Sequence, residues 1–166
     1  MHKSTLQKLS YITSIILTLF IFISCTSTNT GAMDDEPEEV EQLTGTLVLE
    51  NNGAQSYTVA RIDGDGISAE TGTANPSITL TVGGRYTFVN QAGASSHPLD
   101  FRNSDREKLF GQSNPAGQFD SDSDVDVVEN GDSITFTLTE SLAAALSDYV
   151  CSFHPGMNGD LLVSEE

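Results

Sequence analysis

The sequence predicts an all-β domain, an antiparallel β-sandwich with one short helix near its C-terminal end. Three observations carry this. Short segments of alternating apolar and polar residues recur from Gly45 onward, the period of half-buried strands. Asn-Gly, Asp-Gly and Gly-Gly pairs stand between segments, where tight turns need residues that accept positive φ. One stretch, Thr139-Glu-Ser-Leu-Ala-Ala-Ala-Leu-Ser147, has helical character, enough for about two turns. Several short strands broken by such turns indicate two packed sheets.

The chain opens with Lys3 and Lys8, followed by an apolar run from Tyr11 to Ile23. This is the pattern of an export leader, assigned to residues 1–24, and the run is shorter than the roughly 20 apolar residues of a membrane-spanning helix. Phe22-Ile-Ser-Cys25 resembles a lipoprotein cleavage box, in which a small residue precedes the Cys that becomes lipidated. Cys25 is therefore the expected lipidation site, tethering the protein to a membrane and facing the periplasm or the cell exterior. An uncleaved anchor and a soluble secreted form are the alternatives. All three put the domain outside the cytoplasm.

Residues 25–44 read as a disordered acidic tether. Small polar residues lead into Asp34-Asp-Glu-Pro-Glu-Glu39, a composition that cannot bury a core and whose like charges keep it extended. The remaining stretch, 45–166, has room for one modest domain. The formal net charge of −17 argues against nucleic acid and anionic membrane surfaces as partners. It favours solubility or a basic docking partner, and the composition does not decide between them.

Within the domain, Leu47 and Leu49 alternate with Thr46, Val48 and Glu50, and Ile78, Leu80 and Val82 alternate with Ser77, Thr79 and Thr81. Gly83-Gly84 then reads as a hairpin turn leading to Tyr86 and Phe88. Ile134, Phe136 and Leu138 form a further strand, and Asp160-Leu-Leu-Val-Ser164 closes the chain. Asp63-Gly-Asp-Gly66 reads as a turn between strands. Asp120-Ser-Asp-Ser-Asp-Val-Asp126 has alternating carboxylates, but Val125 stands where an EF-hand loop needs Gly and its twelfth position lacks Glu. It reads as a solvated loop, with cation binding left open.

The chemistry concentrates in Tyr149-Val-Cys-Ser-Phe-His-Pro-Gly-Met-Asn-Gly159. Cys151, His154 and Met157 are evenly spaced with two residues between neighbours, so a short loop can turn all three inward. A soft thiolate, an imidazole and a weak thioether suit copper better than other common metals, and a thioether is a poor zinc ligand. A second imidazole is available from a distant segment at His97. If Cys25 carries lipid, Cys151 has no disulfide partner in an oxidising compartment, where a free thiol is a liability unless a metal holds it. With both domain histidines so used, no Ser-His-Asp arrangement is supported.

On these residues the stretch from about Gly45 to the C-terminus resembles the cupredoxins, the plastocyanin, amicyanin and halocyanin family of small electron-transfer proteins. The resemblance lies in Tyr149-x-Cys151-x-x-His154-Pro-x-Met157-x-Gly159, the upstream His97 and the closing strand; the two-residue gap between His154 and Met157 is similar to amicyanin. It implies a Greek-key sandwich holding one type 1 (blue) copper, with His97 and His154 as nitrogen ligands, Cys151 as thiolate and Met157 as long axial ligand. One position departs from the family. Many cupredoxins place Asn after the first His, with its N–H donating to the Cys sulfur, and this chain has Pro98.

The implied role is a one-electron shuttle, a monomer rather than an enzyme, between membrane or extracytoplasmic redox proteins. Docking is expected through the acidic surface or around His154. Apolar neighbours Phe153, Pro155 and Pro98 are expected to exclude water from the site. The alternative is an exported copper-binding protein for delivery, storage or resistance. Such carriers often use Met-rich or His-rich tracts, and this chain has three Met and three His in all.

Overall fold

The computed structural model describes residues 41–165, and they form the expected all-β sandwich. The leader, Cys25 and the tether up to residue 40 lie outside the described residues. In chain order the elements are β1 (Thr44–Asn52), β2 (Ser56–Gly64), β3 (Ile67–Ala69), β4 (Ile78–Thr81), β5 (Arg85–Asn90) and β6 (Leu99–Arg102). They continue with β7 (Lys108–Gly111), β8 (Val128–Asn130), β9 (Ser133–Thr137), α1 (Glu140–Ala145), β10 (Asp148–Cys151) and β11 (His154–Ser164). A five-stranded sheet runs β2-β1-β5-β9-β8, and a six-stranded sheet runs β3-β4-β11-β10-β6-β7. Among the described residues no helix is long and apolar enough to cross a membrane.

The sheets are mixed where a purely antiparallel arrangement was expected. β1 runs parallel to β5, and β4 runs parallel to β11. The cause is that the chain repeatedly changes sheet, so strands distant in sequence become neighbours. Gly83-Gly84 is one such crossing and not a hairpin, because β4 and β5 belong to different sheets. Gly83 takes a φ of 83°, and a Cβ on Gly84 would sit 2.1 Å from the Tyr86 hydroxyl. That hydroxyl folds back to donate to the Thr81 carbonyl at 2.7 Å, lacing the corner shut. The Asp63–Gly66 turn likewise carries the chain from β2 to β3 in the opposite sheet.

The core follows from the strand periodicity. Tyr86, Phe88 and Asn90 point inward from β5, and Ile134 and Phe136 from β9. Phe88 and Phe136 of one sheet meet Phe101 and Phe110 of the other, with ring centroids 4.4–5.8 Å apart across the set. β2 keeps its inward row only through a bulge. Leu49 pairs with Val59 and Val48 with Arg61, so Ala60 is the extra residue. The shift lets Tyr57, Val59 and then Ile62 face the core.

The helix begins where expected. Thr139 caps it, its hydroxyl accepting the Leu142 N–H at 3.2 Å, Glu140 complements the dipole, and Leu142 anchors it in the core. In the Asp120–Asp126 loop Asp122 turns its carboxylate to the loop's own backbone, and Asp126 pairs with Arg85 at 2.8 Å. Asp122 Oδ1 accepts from the N–H of Asp124 (2.9 Å) and Val125 (3.1 Å), and Val125 is fully buried. Asp120 accepts from Gly117 and Gly111 and lies 3.9 Å from Lys108.

Gly159 is required for a steric reason. It pairs with Tyr149 across β10 and β11, and a Cβ there would lie 2.4 Å from the Tyr149 hydroxyl and 2.7 Å from the Pro76 carbonyl oxygen. Tyr149 needs that space, since its hydroxyl donates to the same carbonyl at 2.7 Å. Gly159→Ala should therefore destabilise the domain by about 1–3 kcal/mol, the usual cost of overpacking. Urea unfolding of the two proteins measures it, and an unchanged midpoint would contradict the contact.

Candidate metal centre

The spacing of Cys151 and His154 becomes geometry through a hairpin. β10 and β11 are joined by Ser152-Phe153 alone, so Cys151 and His154 are direct cross-strand partners. Side chains directly opposite each other in an antiparallel pair lie on one face. On its other side Cys151 pairs with Leu99 of β6, and His97 lies two residues before Leu99. Residue 97 stands just ahead of β6, in the turn that leads into it. A motif local in sequence and a histidine 54 residues away thus meet at one end of one sheet.

The donor atoms converge. Cys151 Sγ lies 3.8 Å from His97 Nδ1 and 3.4 Å from His154 Nδ1. The three ligand atoms all fall within 4.8 Å of one another, forming a group able to hold a metal ion. Nitrogen and sulfur ligands bind a small divalent ion at about 2.0–2.3 Å, which puts pairs of ligands about 3.3–3.8 Å apart in a tetrahedral site. The two measured separations agree with that spacing. Among the described residues this is the group of His, Cys, Asp and Glu with metal-binding geometry. Cys151 is a free thiol, fully buried, and both imidazoles are half-buried.

Met157 sits in the irregular segment where the β10–β11 register skips from Cys151–His154 to Val150–Asn158. Its side chain is fully buried while Pro155, Gly156 and Asn158 around it are exposed. The loop is held by Asn75, whose Nδ2 donates to the Gly156 carbonyl at 3.1 Å and whose Oδ1 accepts the Tyr57 N–H at 3.0 Å. Asn75 has a φ of 50°, a left-handed conformation that Asn tolerates better than most residues.

Behind His97 lies a polar clamp that sequence reasoning missed. The His97 carbonyl accepts from the Tyr57 hydroxyl at 2.6 Å and from Asn90 Nδ2 at 2.7 Å. Asn90 Nδ2 also donates to Gln112 Oε1 at 2.9 Å, and the same oxygen receives the Leu99 N–H at 3.0 Å. Since Pro98 has no N–H, Leu99 is the first residue after His97 that can donate. At the ring, His97 Nε2 faces Asn51 Nδ2 at 3.3 Å, leaving Nδ1 toward the sulfur. The available signal for the clamp was Asn90 itself, a polar residue continuing the inward row of Tyr86 and Phe88.

Electrostatics favour ligation. Burial, and secondarily the neighbouring His154, lower the proton affinity of His97, which keeps its imidazole neutral and able to bind a metal. Burial raises the phenols of Tyr57 and Tyr149 well above the ordinary tyrosine range, so both stay protonated.

One expectation about shielding fails. Pro98 is buried, and its carbonyl accepts the Ser152 N–H at 3.1 Å, but Phe153 is 61 % exposed and Pro155 is exposed as well. Phe153 occupies the two-residue turn between β10 and β11. The Ser152 hydroxyl is buried without a partner, as the absence of an Asn side chain at position 98 leads one to expect.

No family model matches this chain, and no curated protein matches it either.

Proposed function

We propose that the domain binds one copper ion through His97, Cys151, His154 and Met157 and acts as a cupredoxin-like type 1 electron carrier. The observation that carries this reading is the convergence of two imidazole nitrogens and one thiol sulfur within 4.8 Å; Met157, three residues after His154, is buried. A thiolate, two imidazoles and a thioether form a soft donor set that suits copper, and among the described residues no carboxylate joins the group to favour a harder ion. Copper there supplies one-electron chemistry between Cu(I) and Cu(II).

The chain contributes rigidity. His97 is held from behind by two hydrogen bonds, Cys151 lies between β6 and β11, and the Gly156 carbonyl is tied to Asn75. Ligands that cannot move have little to rearrange between oxidation states. Half-exposed His154 and exposed Phe153 give a redox protein an approach to the site, and the acidic surface suits a basic partner. Voltammetry of the copper-loaded full chain tests the role. A reversible one-electron wave is expected; bound copper without one would point to delivery or storage.

The same reading places the protein outside the cytoplasm, anchored by lipid on Cys25. The motivation is the leader followed by Phe22-Ile-Ser-Cys25. Cys25→Ser should move the protein from the membrane fraction to the soluble fraction; retention in the membrane would mark the leader as an uncleaved anchor.

A further inference from the structure

Lys108 of β7 sits inside the loop that follows its own strand. Its ammonium donates to three backbone carbonyls, those of Gly111 at 3.0 Å, Pro115 at 3.1 Å and Ser113. The carboxylates of Asp100 and Asp120 lie 3.8 and 3.9 Å from it, and all three side chains are largely buried. Both carboxylates are tied to the loop as well. Asp100 accepts the Ser113 N–H at 3.0 Å, and Asp120 accepts the Gly111 N–H at 3.3 Å. Gly111 and Ser113 stand on either side of Gln112. One ammonium thus pins the backbone before and after a single residue.

Gln112 spends its groups on the supports of the metal centre. Its N–H donates to the Leu99 carbonyl at 2.9 Å, and its Oε1 accepts the Leu99 N–H at 3.0 Å and Asn90 Nδ2 at 2.9 Å. Leu99 is the cross-strand partner of Cys151, and the same Asn90 nitrogen holds the His97 carbonyl. We propose that Lys108 is a positioning residue for the metal centre, acting through Gln112 on the strand beside Cys151 and on the clamp behind His97. The proposal rests on the copper reading above. Lysine suits the task because its three protons spread about one nitrogen, matching three carbonyls that converge on one point; the planar fork of arginine does not. Outer partners of this kind orient ligands and tune a bound metal without touching it.

Full-length wild type, Lys108→Met, Gln112→Met and the double variant form a cycle, with Arg85→Met as the control. Arg85 pairs with Asp126 at 2.8 Å and belongs to the other sheet, so its loss reports what lower stability alone does. On the metal-free proteins the readout is hydrogen exchange at the Leu99 amide, relative to the slowest core amides of the same protein. Each single variant should exchange there about tenfold faster than wild type, the double variant no faster than Gln112→Met, and Arg85→Met at the wild-type rate. Loaded with copper, the three loop variants should share one displaced reduction potential, and Arg85→Met should keep that of wild type. A wild-type Leu99 rate or potential in Lys108→Met, or effects that add in the double variant, overturns the proposal. If Lys108→Met does not fold, Lys108→Arg takes its place in the cycle, since it keeps the charge between the two carboxylates; wild-type exchange in that variant overturns the proposal. A wild-type chain that takes up no copper overturns the copper reading instead, and the exchange rates still decide whether Lys108 acts through Gln112.

Discussion

Cys151→Ser should abolish the visible charge-transfer band of the copper-loaded protein while leaving the sandwich folded. A thiolate gives such a band because its electrons lie close in energy to the metal's; a serine hydroxyl stays protonated at neutral pH and is a poor soft-metal ligand. Cys151 is the free thiol among the described residues, and it lies closer to each imidazole than 4 Å. Its replacement removes the sulfur from the centre of the donor set. Burying the new hydroxyl costs about 1–3 kcal/mol if it goes unpartnered. That is small against the 5–15 kcal/mol of an ordinary domain, so circular dichroism should show the β spectrum retained. A Cys151→Ser protein that keeps the band would remove Cys151 from the site.

Phe136→Ala should give the largest loss of stability. Phe136 is fully buried in β9, its ring 4.7 Å from Phe110, 5.3 Å from Phe101 and 5.8 Å from Phe88. It therefore joins the two sheets, and neither sheet can close over the space it would leave without moving the other. Phe→Ala in such a core costs about 3–5 kcal/mol, transfer and cavity together. Val128→Ala on the exposed strand β8 is the comparison, expected within about 0.5 kcal/mol of wild type. Urea unfolding of both variants gives the difference. A loss below about 1 kcal/mol at Phe136 would mean that the sheets do not share one core.

How far these features were legible in the sequence depends on how each strand is buried. β4, β5 and β9 each bury one face, so their alternation appears in the residues themselves. β6 and β7 hide theirs. Leu99, Asp100 and Phe101 are all buried, as are Leu109, Phe110 and Gly111, because these strands have neighbours on both faces. Asp100 is tolerated inside because Ser113 and Lys108 meet its carboxylate. In β2 the extra residue Ala60 breaks the period midway, which conceals Tyr57 as an inward residue. Local spacing says nothing about which sheet a strand joins, so the corner at Gly83-Gly84 looked like a hairpin.

The nearness of Cys151, His154 and His97 was legible for the opposite reason. Cys151 and His154 are brought together by a two-residue turn, a relation written into their spacing. His97 was legible by chemistry, as the imidazole left over in the domain. The groups that hold these residues have no spacing to betray them. Tyr57, Asn75, Asn90 and Gln112 come from separate segments and meet only through tertiary pairing. A clamp of this kind becomes visible when the strands have been placed in register.

Titration of copper(II) into the full-length chain, followed by visible absorption and electron paramagnetic resonance, tests the central claim most directly. The expected result is saturation at one equivalent, with an intense thiolate charge-transfer band and a single copper signal of narrow parallel hyperfine splitting. Binding without that band, or a signal of ordinary tetragonal copper with nitrogen and oxygen ligands only, would contradict it.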